Sequence, residues 1–191
     1  MIRIRSLVMV LVCLGAFALF GCQKKTATTT TAADKAATTE AHSAREDARL
    51  ANFDDLDFNV FSGQKWDELK KSHADNIVVH WPDGHTTTGL PQHIEDLKAL
   101  FVWMPDMSIK EHPIKIADGD WTAVTGVMTG TFSQPMPLPG GASIPPTNKA
   151  INMTMVTLGH WNGDTMDEEY LFWDQKTFMD QLGLGQPSGG K

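Results

Sequence analysis

The residues best placed to carry out chemistry are two carboxyl groups near the C-terminus, Glu168 and Asp174. Asn162-Gly163 precedes them and separates two β-rich stretches, 150–160 and 165–173. Asn-Gly is among the strongest signals for a two-residue hairpin loop, because both positions favour a positive φ. Such a loop places residue 161 opposite residue 164, and residues directly opposite each other share a face of the sheet. One face is then predicted to carry both carboxyl groups together with Met153, Met155, Tyr170 and Phe172.

A carboxyl group among thioether and aromatic side chains loses solvation, which raises its pKa towards neutrality. A general acid–base needs such a pKa, because it must both hold and release a proton at the working pH. The sequence therefore predicts acid–base chemistry from Asp174, with Glu168 as the second candidate. Two alternatives stay open: Asp174 can cap the last helix, and Glu168 can be a solvated charge beside other acids. A β-bulge in the hairpin would exchange the two faces.

A third candidate, His80, ends a predicted strand just before the turn formed by Pro82-Asp83-Gly84. The alternative for His80 is a half-buried histidine at a strand end. Trp81 and Met128 complete the predicted ligand pocket, although a large apolar tryptophan also suits a core.

The spacing of the remaining histidines argues against other sites. His160 lies beside the hairpin turn, whereas Asp174 lies about nine residues, or roughly 30 Å, away along the strand. Turn chemistry explains Asp83, so His80 and His85 lack a third or fourth ligand of the kind that zinc needs. The sequence therefore predicts no metal site and no cofactor.

The first 22 residues resemble the signal of bacterial lipoproteins. Arg3 and Arg5 precede a short apolar run that ends in Leu19-Phe20-Gly21-Cys22. The resemblance implies that residues 1–21 are removed and that acyl chains on Cys22 hold the exported protein on a membrane lipid surface. In a cell with two membranes, Gln23 after the cysteine favours the outer membrane and its periplasmic face. The alternative is an ordinary cleaved signal in which Cys22 is incidental.

Composition divides the rest of the chain. Residues 22–49 begin at the lipidated cysteine and contain a Thr/Ala-rich tract with too few apolar side chains to form a core, so this segment is predicted to be a disordered linker. Residues 50–184 suit one domain, and residues 185–191 are predicted to be a flexible tail.

Charge and cysteine content exclude several functions. Loss of Arg3 and Arg5 with the signal changes the net charge from −7 to −9, which argues against nucleic acid as a partner. Cys13 would be removed and Cys22 lipidated, and the chain has no other cysteine. No disulfide, thiol nucleophile or thiolate metal site is therefore expected.

Helical spacing comes before strand-like alternation. Phe53, Leu56, Val60 and Phe61 recur at helical spacing, and a second helix is predicted between Pro91 and Pro105. The segments 107–116, 121–132, 150–160 and 165–173 are β-rich, and a closing helix is predicted from Gln175 to Leu182. This order indicates an α+β fold.

Six short segments, taken in order, resemble the SnoaL-like polyketide cyclase family of the NTF2-like superfamily. They are Asp75-Asn76-Ile77-Val78-Val79-His80, Pro105-Asp106-Met107, Ala117-Asp118-Gly119-Asp120-Trp121, Thr129-Gly130-Thr131-Phe132, Ile144-Pro145-Pro146-Thr147, and Trp173-Asp174 leading to Gln181-Leu182-Gly183.

The resemblance implies a cone in which N-terminal helices pack on a strongly curved antiparallel sheet around a deep apolar pocket. It also implies a metal-independent reaction in which a pocket carboxylic acid assists an intramolecular aldol closure, and the Trp-Asp segment points to Asp174. Two positions depart from the family: Met128 replaces a histidine and Asn148 replaces a glycine.

Three functions follow as hypotheses. The first is a membrane-anchored lipoprotein whose domain binds a small apolar or aromatic ligand, with weak acid–base activity from Asp174. The second is a SnoaL-like cyclase or isomerase. The third is a non-catalytic module that forms a homodimer through its sheet.

Overall fold

The computed structural model describes residues 32–185. The predicted signal peptide, the predicted lipidation of Cys22, linker residues 22–31 and tail residues 186–191 lie outside the described residues, so those predictions stay predictions. Within residues 32–185, no helix combines the length and the apolar character needed to cross a membrane.

The helices precede most of the sheet, as their apolar spacing predicts. Helix α1 spans Ala32–Asp55 and continues directly into a π-helical segment, Leu56–Phe61. A 3₁₀ helix follows at Trp66–Lys71. Helix α2 spans Leu90–Trp103 with proline in its first turn, and helix α3 spans Gln175–Leu182. Proline suits this position because the first turn leaves its backbone N–H groups without helical partners.

Seven strands form the main sheet. They are β1 (His73–His80), β2 (Thr86–Thr88), β3 (Ser108–Ile109), β4 (Lys115–Asp118), β5 (Trp121–Thr131), β8 (Ala150–Asn162) and β9 (Thr165–Phe172). Their order is β2-β1-β9-β8-β5-β3, and β4 also pairs with β5. All pairs are antiparallel except β1 with β9. Two short strands, β6 (Met136–Pro137) and β7 (Ser143–Ile144), form a separate hairpin in the Pro/Gly-rich loop.

The β8–β9 hairpin differs from its prediction in two ways. Asn162 pairs with Thr165, so the loop is Gly163-Asp164 rather than Asn162-Gly163. Trp161 pairs with Met166 but His160 pairs with Glu168, which leaves one extra residue on β9. This bulge and the shifted turn together move the register by an odd number of residues. The predicted assignment of β9 residues to faces is therefore wrong.

The core lies between the helices and one face of the sheet. Along β8 every second residue from Ile151 to Trp161 is buried, as expected for a strand with one covered face. The π-helical segment and α2 supply the opposing layer, including Leu56, Val60, Phe61, Leu97 and Phe101. The α+β prediction is confirmed.

Part of the predicted linker is folded. Residues 32–49 belong to α1, so the prediction of disorder is wrong for them. Arg49 is only 4% exposed, and its guanidinium donates to the Gly119 carbonyl at 2.5 Å and to the Asp120 carboxylate at 2.8 Å. The Glu46 carboxylate accepts the backbone N–H of Gly119 at 2.8 Å. These bonds attach the helix to the turn between β4 and β5.

Candidate active site

A small cavity of about 60 Å³ lies between the helices and the buried sheet face. Its walls are mainly leucine, methionine and aromatic side chains. The polar residues that line it are Asp57, His73, His93, Thr157 and Glu169. An apolar cavity with a few convergent polar groups is the usual form of a small-molecule site.

Three of these polar residues form one cluster. Glu169 comes from β9, His73 from the start of β1 and His93 from α2, and their side chains are 6%, 1% and 3% exposed. The Oε2 atom of Glu169 lies 3.7 Å from Nε2 of His73 and 3.4 Å from Nε2 of His93. The bulge in β9 produces this cluster, because it turns Glu169 rather than Glu168 towards the core.

Burial shifts the titration of this cluster. Burial alone would raise the pKa of Glu169, but the interaction with His73 and the charges of His93 and His73 outweigh it and hold the pKa below its usual value. Burial lowers the pKa of His93 to about 4, so His93 is neutral near pH 7.

A second cluster, on another wall of the cavity, joins Asp57 to His112 and Asp54. His112 lies 2.8 Å from Asp57 through Nε2 and 2.7 Å from Asp54 through Nδ1. Phe58 packs on the imidazole, with ring centroids 4.4 Å apart. Lys115 forms an ion pair with the other oxygen of Asp54 at 2.6 Å. Two carboxyl groups at the two ring nitrogens fit an imidazolium, which has two donors.

Asp57 and His112, which are in contact at the cavity wall, both have a raised pKa. Burial raises the pKa of Asp57, and the charge of Glu169 also raises it, although the hydrogen bond from His112 opposes this. Burial opposes the charge on His112, but its bonds to Asp57 and Asp54 outweigh burial and raise the pKa of His112. Asp57 is thus a cavity carboxyl with the direction of shift that acid–base catalysis requires.

The predicted pocket residues divide between the two faces of the sheet. Met128, Met155 and Trp81 line the cavity, and Met153 is buried on the same side of β8. Tyr170 and Phe172 lie on the opposite face, where Phe172 is 48% exposed. Their predicted place beside Met153 and Met155 is wrong, because the bulge and the shifted turn exchange the faces of β9.

Glu168 and His80 also lie on the outer face, and neither lines the cavity. The Glu168 carboxylate is 2.9 Å from Nε2 of His80 and accepts the Tyr170 hydroxyl at 2.8 Å. The His80 and Tyr170 rings stack with centroids 4.0 Å apart. These bonds lower the pKa of Glu168, with the Tyr170 bond contributing most. The shift is opposite to the one predicted for a pocket acid.

Asp174 caps helix α3. Its carboxylate accepts the backbone N–H of Thr177 at 2.9 Å, and that bond lowers the pKa of Asp174. Asp174 does not line the cavity. Of the two positions that the sequence left open for Asp174, the helix cap is the one observed. Sequence reasoning missed Asp57, His73, His93 and Glu169, which are far apart in the chain.

The sequence profile of the SnoaL-like polyketide cyclases matches residues 56–182, which span the cavity and nearly the whole sheet. The chain belongs to the SnoaL-like polyketide cyclase family. The family resemblance drawn from the six short segments is therefore confirmed. No curated protein matches the chain significantly.

Several solved structures have a similar fold. A SnoaL-like polyketide cyclase structure from Jannaschia sp. CCS1 has a TM-score of 0.64 and 19% identity, and covers 75% of this chain and 96% of its own. IdmH of Streptomyces antibioticus has a TM-score of 0.59 and 21% identity, with 73% and 99% coverage.

A protein of Catenulispora acidiphila DSM 44928 with a ketosteroid isomerase-like fold, in complex with trimethylamine, has a TM-score of 0.56 and 14% identity, with 71% and 92% coverage. At these identities the likeness shows the fold alone. It confirms the NTF2-like cone for this SnoaL-like domain.

Proposed function

We propose that this protein is an exported, lipid-anchored SnoaL-like protein whose cavity binds a small apolar ligand and transfers a proton on it. The observation that carries the proposal is the Asp57 carboxyl, which lines an apolar cavity and is hydrogen-bonded to His112. His112 is in turn hydrogen-bonded to Asp54. The lipobox-like segment ending at Cys22 supports the anchor.

The geometry suits one carboxyl that both takes and returns a proton. His112 donates to Oδ2 of Asp57, so the other carboxylate oxygen is left for a ligand. The carboxylate removes a proton from a carbon next to a carbonyl, and the resulting enolate either shifts its double bond or adds to a second carbonyl. Asp57 then returns the proton to carbon or to the new alkoxide, so the protein ends unchanged. His112 and Asp54 act as positioning residues.

Cavity size limits the ligand. Sites for drug-sized molecules usually measure roughly 300–1,000 Å³, whereas this cavity measures about 60 Å³. A ligand larger than this volume, such as a bicyclic ketone, can bind only if the apolar side chains of the wall move apart. The flexible methionine side chains that line the cavity, Met107, Met128 and Met155, suit such adjustment.

The proposal is tested by proton exchange on a small ketone. The full chain is incubated with 2-indanone in deuterated water, and loss of the α-hydrogen signal is followed by NMR. We expect the wild-type chain to accelerate exchange and Asp57→Asn to reduce that acceleration by about 10²- to 10⁴-fold, the range for loss of a general acid–base.

Asp174→Asn is the matched control, because asparagine caps helices as well as aspartate does. We expect it to retain wild-type exchange. Equal loss in both variants, or full activity in Asp57→Asn, would contradict the assignment of Asp57.

A second proposal concerns the outer face of the sheet. Trp121 and Phe172 are 42% and 48% exposed there, and the rings of Tyr170 and Phe172 are parallel. Exposed aromatic residues on one face favour a homodimer formed through the sheet. Light scattering of the full chain is expected to give twice the protomer mass, and Phe172→Glu is expected to give the monomer. A monomeric wild type would exclude this proposal.

A further inference from the structure

We infer that His73, His93 and Glu169 bind one first-row divalent transition-metal cation of the zinc type. One ring nitrogen of each histidine and one carboxylate oxygen of Glu169 lie within 4.8 Å of one another. All three side chains are at least nine-tenths buried. The inference does not depend on the role proposed for Asp57.

The spacing within this cluster is unlike that of the other histidine–carboxylate pairs in residues 35–185. Those pairs have N–O distances of 2.5–3.0 Å, as in direct hydrogen bonds. The two contacts of Glu169 measure 3.4 and 3.7 Å. Since a charge-assisted hydrogen bond closes to about 2.7–2.9 Å, a shared proton alone does not explain this spacing.

The same distances suit ligands of one metal ion. Zinc lies about 2.0–2.1 Å from histidine nitrogen and about 2.0–2.2 Å from carboxylate oxygen. In a tetrahedron with bonds of about 2.1 Å, neighbouring ligand atoms are about 3.4 Å apart. His93 and Glu169 already have this separation, and His73, at 3.7 Å rather than 3.4 Å, lies 0.3 Å further from Glu169 than His93 does.

The contacts of Nδ1 in His73 orient the ring so that its other nitrogen, Nε2, is directed at the cluster. Nδ1 of His73 lies 3.3 Å from the carbonyl of Leu69, which can only accept, and 2.9 Å from the hydroxyl of Ser72. The Ser72 hydroxyl itself donates to the Leu69 carbonyl at 3.1 Å, so it accepts from His73. Nδ1 therefore carries the proton in the neutral ring. Such an outer bond is what orients metal-binding histidines.

In this neutral tautomer, two buried acceptors face each other. Nε2 of His73 and Oε2 of Glu169 are both buried and both lack a hydrogen-bond partner among residues 35–185. An unpaired carboxylate in an apolar interior is costly. A divalent cation between the two acceptors would satisfy both of them and reverse the sign of the local charge.

The ligand types indicate the class of metal. Two imidazoles and one carboxylate, without thiolate, form the ligand set of many catalytic zinc sites and of non-haem iron sites. Three protein ligands leave at least one coordination position open. The cluster lines the cavity, so a ligand oxygen can take that position.

The test uses cobalt and zinc on the full chain after removal of metals with a chelator. We expect one equivalent of Co²⁺ to bind, to give the visible absorption of a cobalt–imidazole site, and to be displaced by Zn²⁺. Glu169→Gln is expected to weaken binding by more than the roughly 10–100-fold that loss of an outer-shell partner costs.

Glu168→Gln is the matched control, because Glu168 neighbours Glu169 but contacts His80 on the outer face. It is expected to bind cobalt as the wild type does. His93→Gln serves as a second variant, and circular dichroism checks that each chain is folded.

Absence of cobalt binding by the wild-type chain would overturn the inference, and so would equal losses in Glu168→Gln and Glu169→Gln. Proton exchange on 2-indanone by metal-free protein is measured separately. A protein that exchanges normally but binds no cobalt would refute the metal site and leave the role of Asp57 intact.

Discussion

Replacement of Asp57 by asparagine removes a negative charge 2.8 Å from Nε2 of His112 and leaves an amide oxygen that still accepts its proton. For charge centres about 4 Å apart, at an effective dielectric constant of about 20, an ion pair is worth about 4 kcal/mol. Since 1.4 kcal/mol is a factor of ten in an equilibrium constant, proton binding by His112 weakens by at most about 1,000-fold. The retained hydrogen bond and Asp54 reduce this effect. We expect the titration of His112 to move to clearly lower pH.

NMR titration of the histidine ring protons measures this shift directly. The control is Asp83→Asn, because Asp83 pairs with His85 in the same manner but both side chains are more than half exposed. Because Asp83 contacts His85 and not His112, the midpoint of His112 is expected to keep its wild-type value in Asp83→Asn. If Asp57→Asn moves the midpoint of His112 no further than Asp83→Asn does, the argument that burial strengthens the Asp57–His112 pair is wrong.

Three further predictions concern stability. Arg49→Met loses charged hydrogen bonds and is expected to lower the free energy of unfolding by roughly 1.5–3 kcal/mol. This corresponds to a fall in Tm of about 3–12 °C in calorimetry. Arg45→Met, on the exposed side of α1, is expected to change Tm little. Asp174→Ala is expected to lower Tm because it loses the helix cap, while Asp174→Asn stays near wild type in the same scan. The pKa of His112 is raised in the folded protein, so protonation of His112 stabilises the fold. This stabilisation is complete below the ordinary histidine pKa of 6.5 and is lost as the pH rises through the pKa of the folded state. Denaturant titrations should therefore show falling stability above pH 6.5 and a flatter pH profile for His112→Gln.

Local sequence signals predict much of the fold. Asp174 marks the start of α3, and Gly183, at a φ of 76°, marks its end. Alternation along β5 and β8 predicts long strands with one buried face. These features depend on residues that are close together in the sequence, so a single sequence is enough to predict them.

The register of β9 could not be read so directly. Asn162-Gly163 is a strong loop signal, but the loop forms one residue later. A clue to the bulge does exist in the sequence: Met166 and Leu171 are both apolar, although an odd separation places two residues of a regular strand on opposite faces. Both are buried in the structure. One extra residue between them restores a common face, and it brings Glu169 inward as well.

The candidate site was less predictable than the fold. Asp57 lies in the first turn of the π-helical segment, His73 starts a strand, His93 lies within α2 and Glu169 follows a bulge. No short segment contains two of them. Their proximity is a product of the tertiary fold.

The size of the cavity has a kinetic consequence. A cavity of about 60 Å³ admits only a few atoms, so a larger ligand can bind only after the cavity walls have separated. Association that needs a conformational change is slower than association without one. The observed binding rate should therefore level off at high ligand concentration, at the frequency with which the apolar walls open. Turnover would then depend on that opening as much as on any proton transfer.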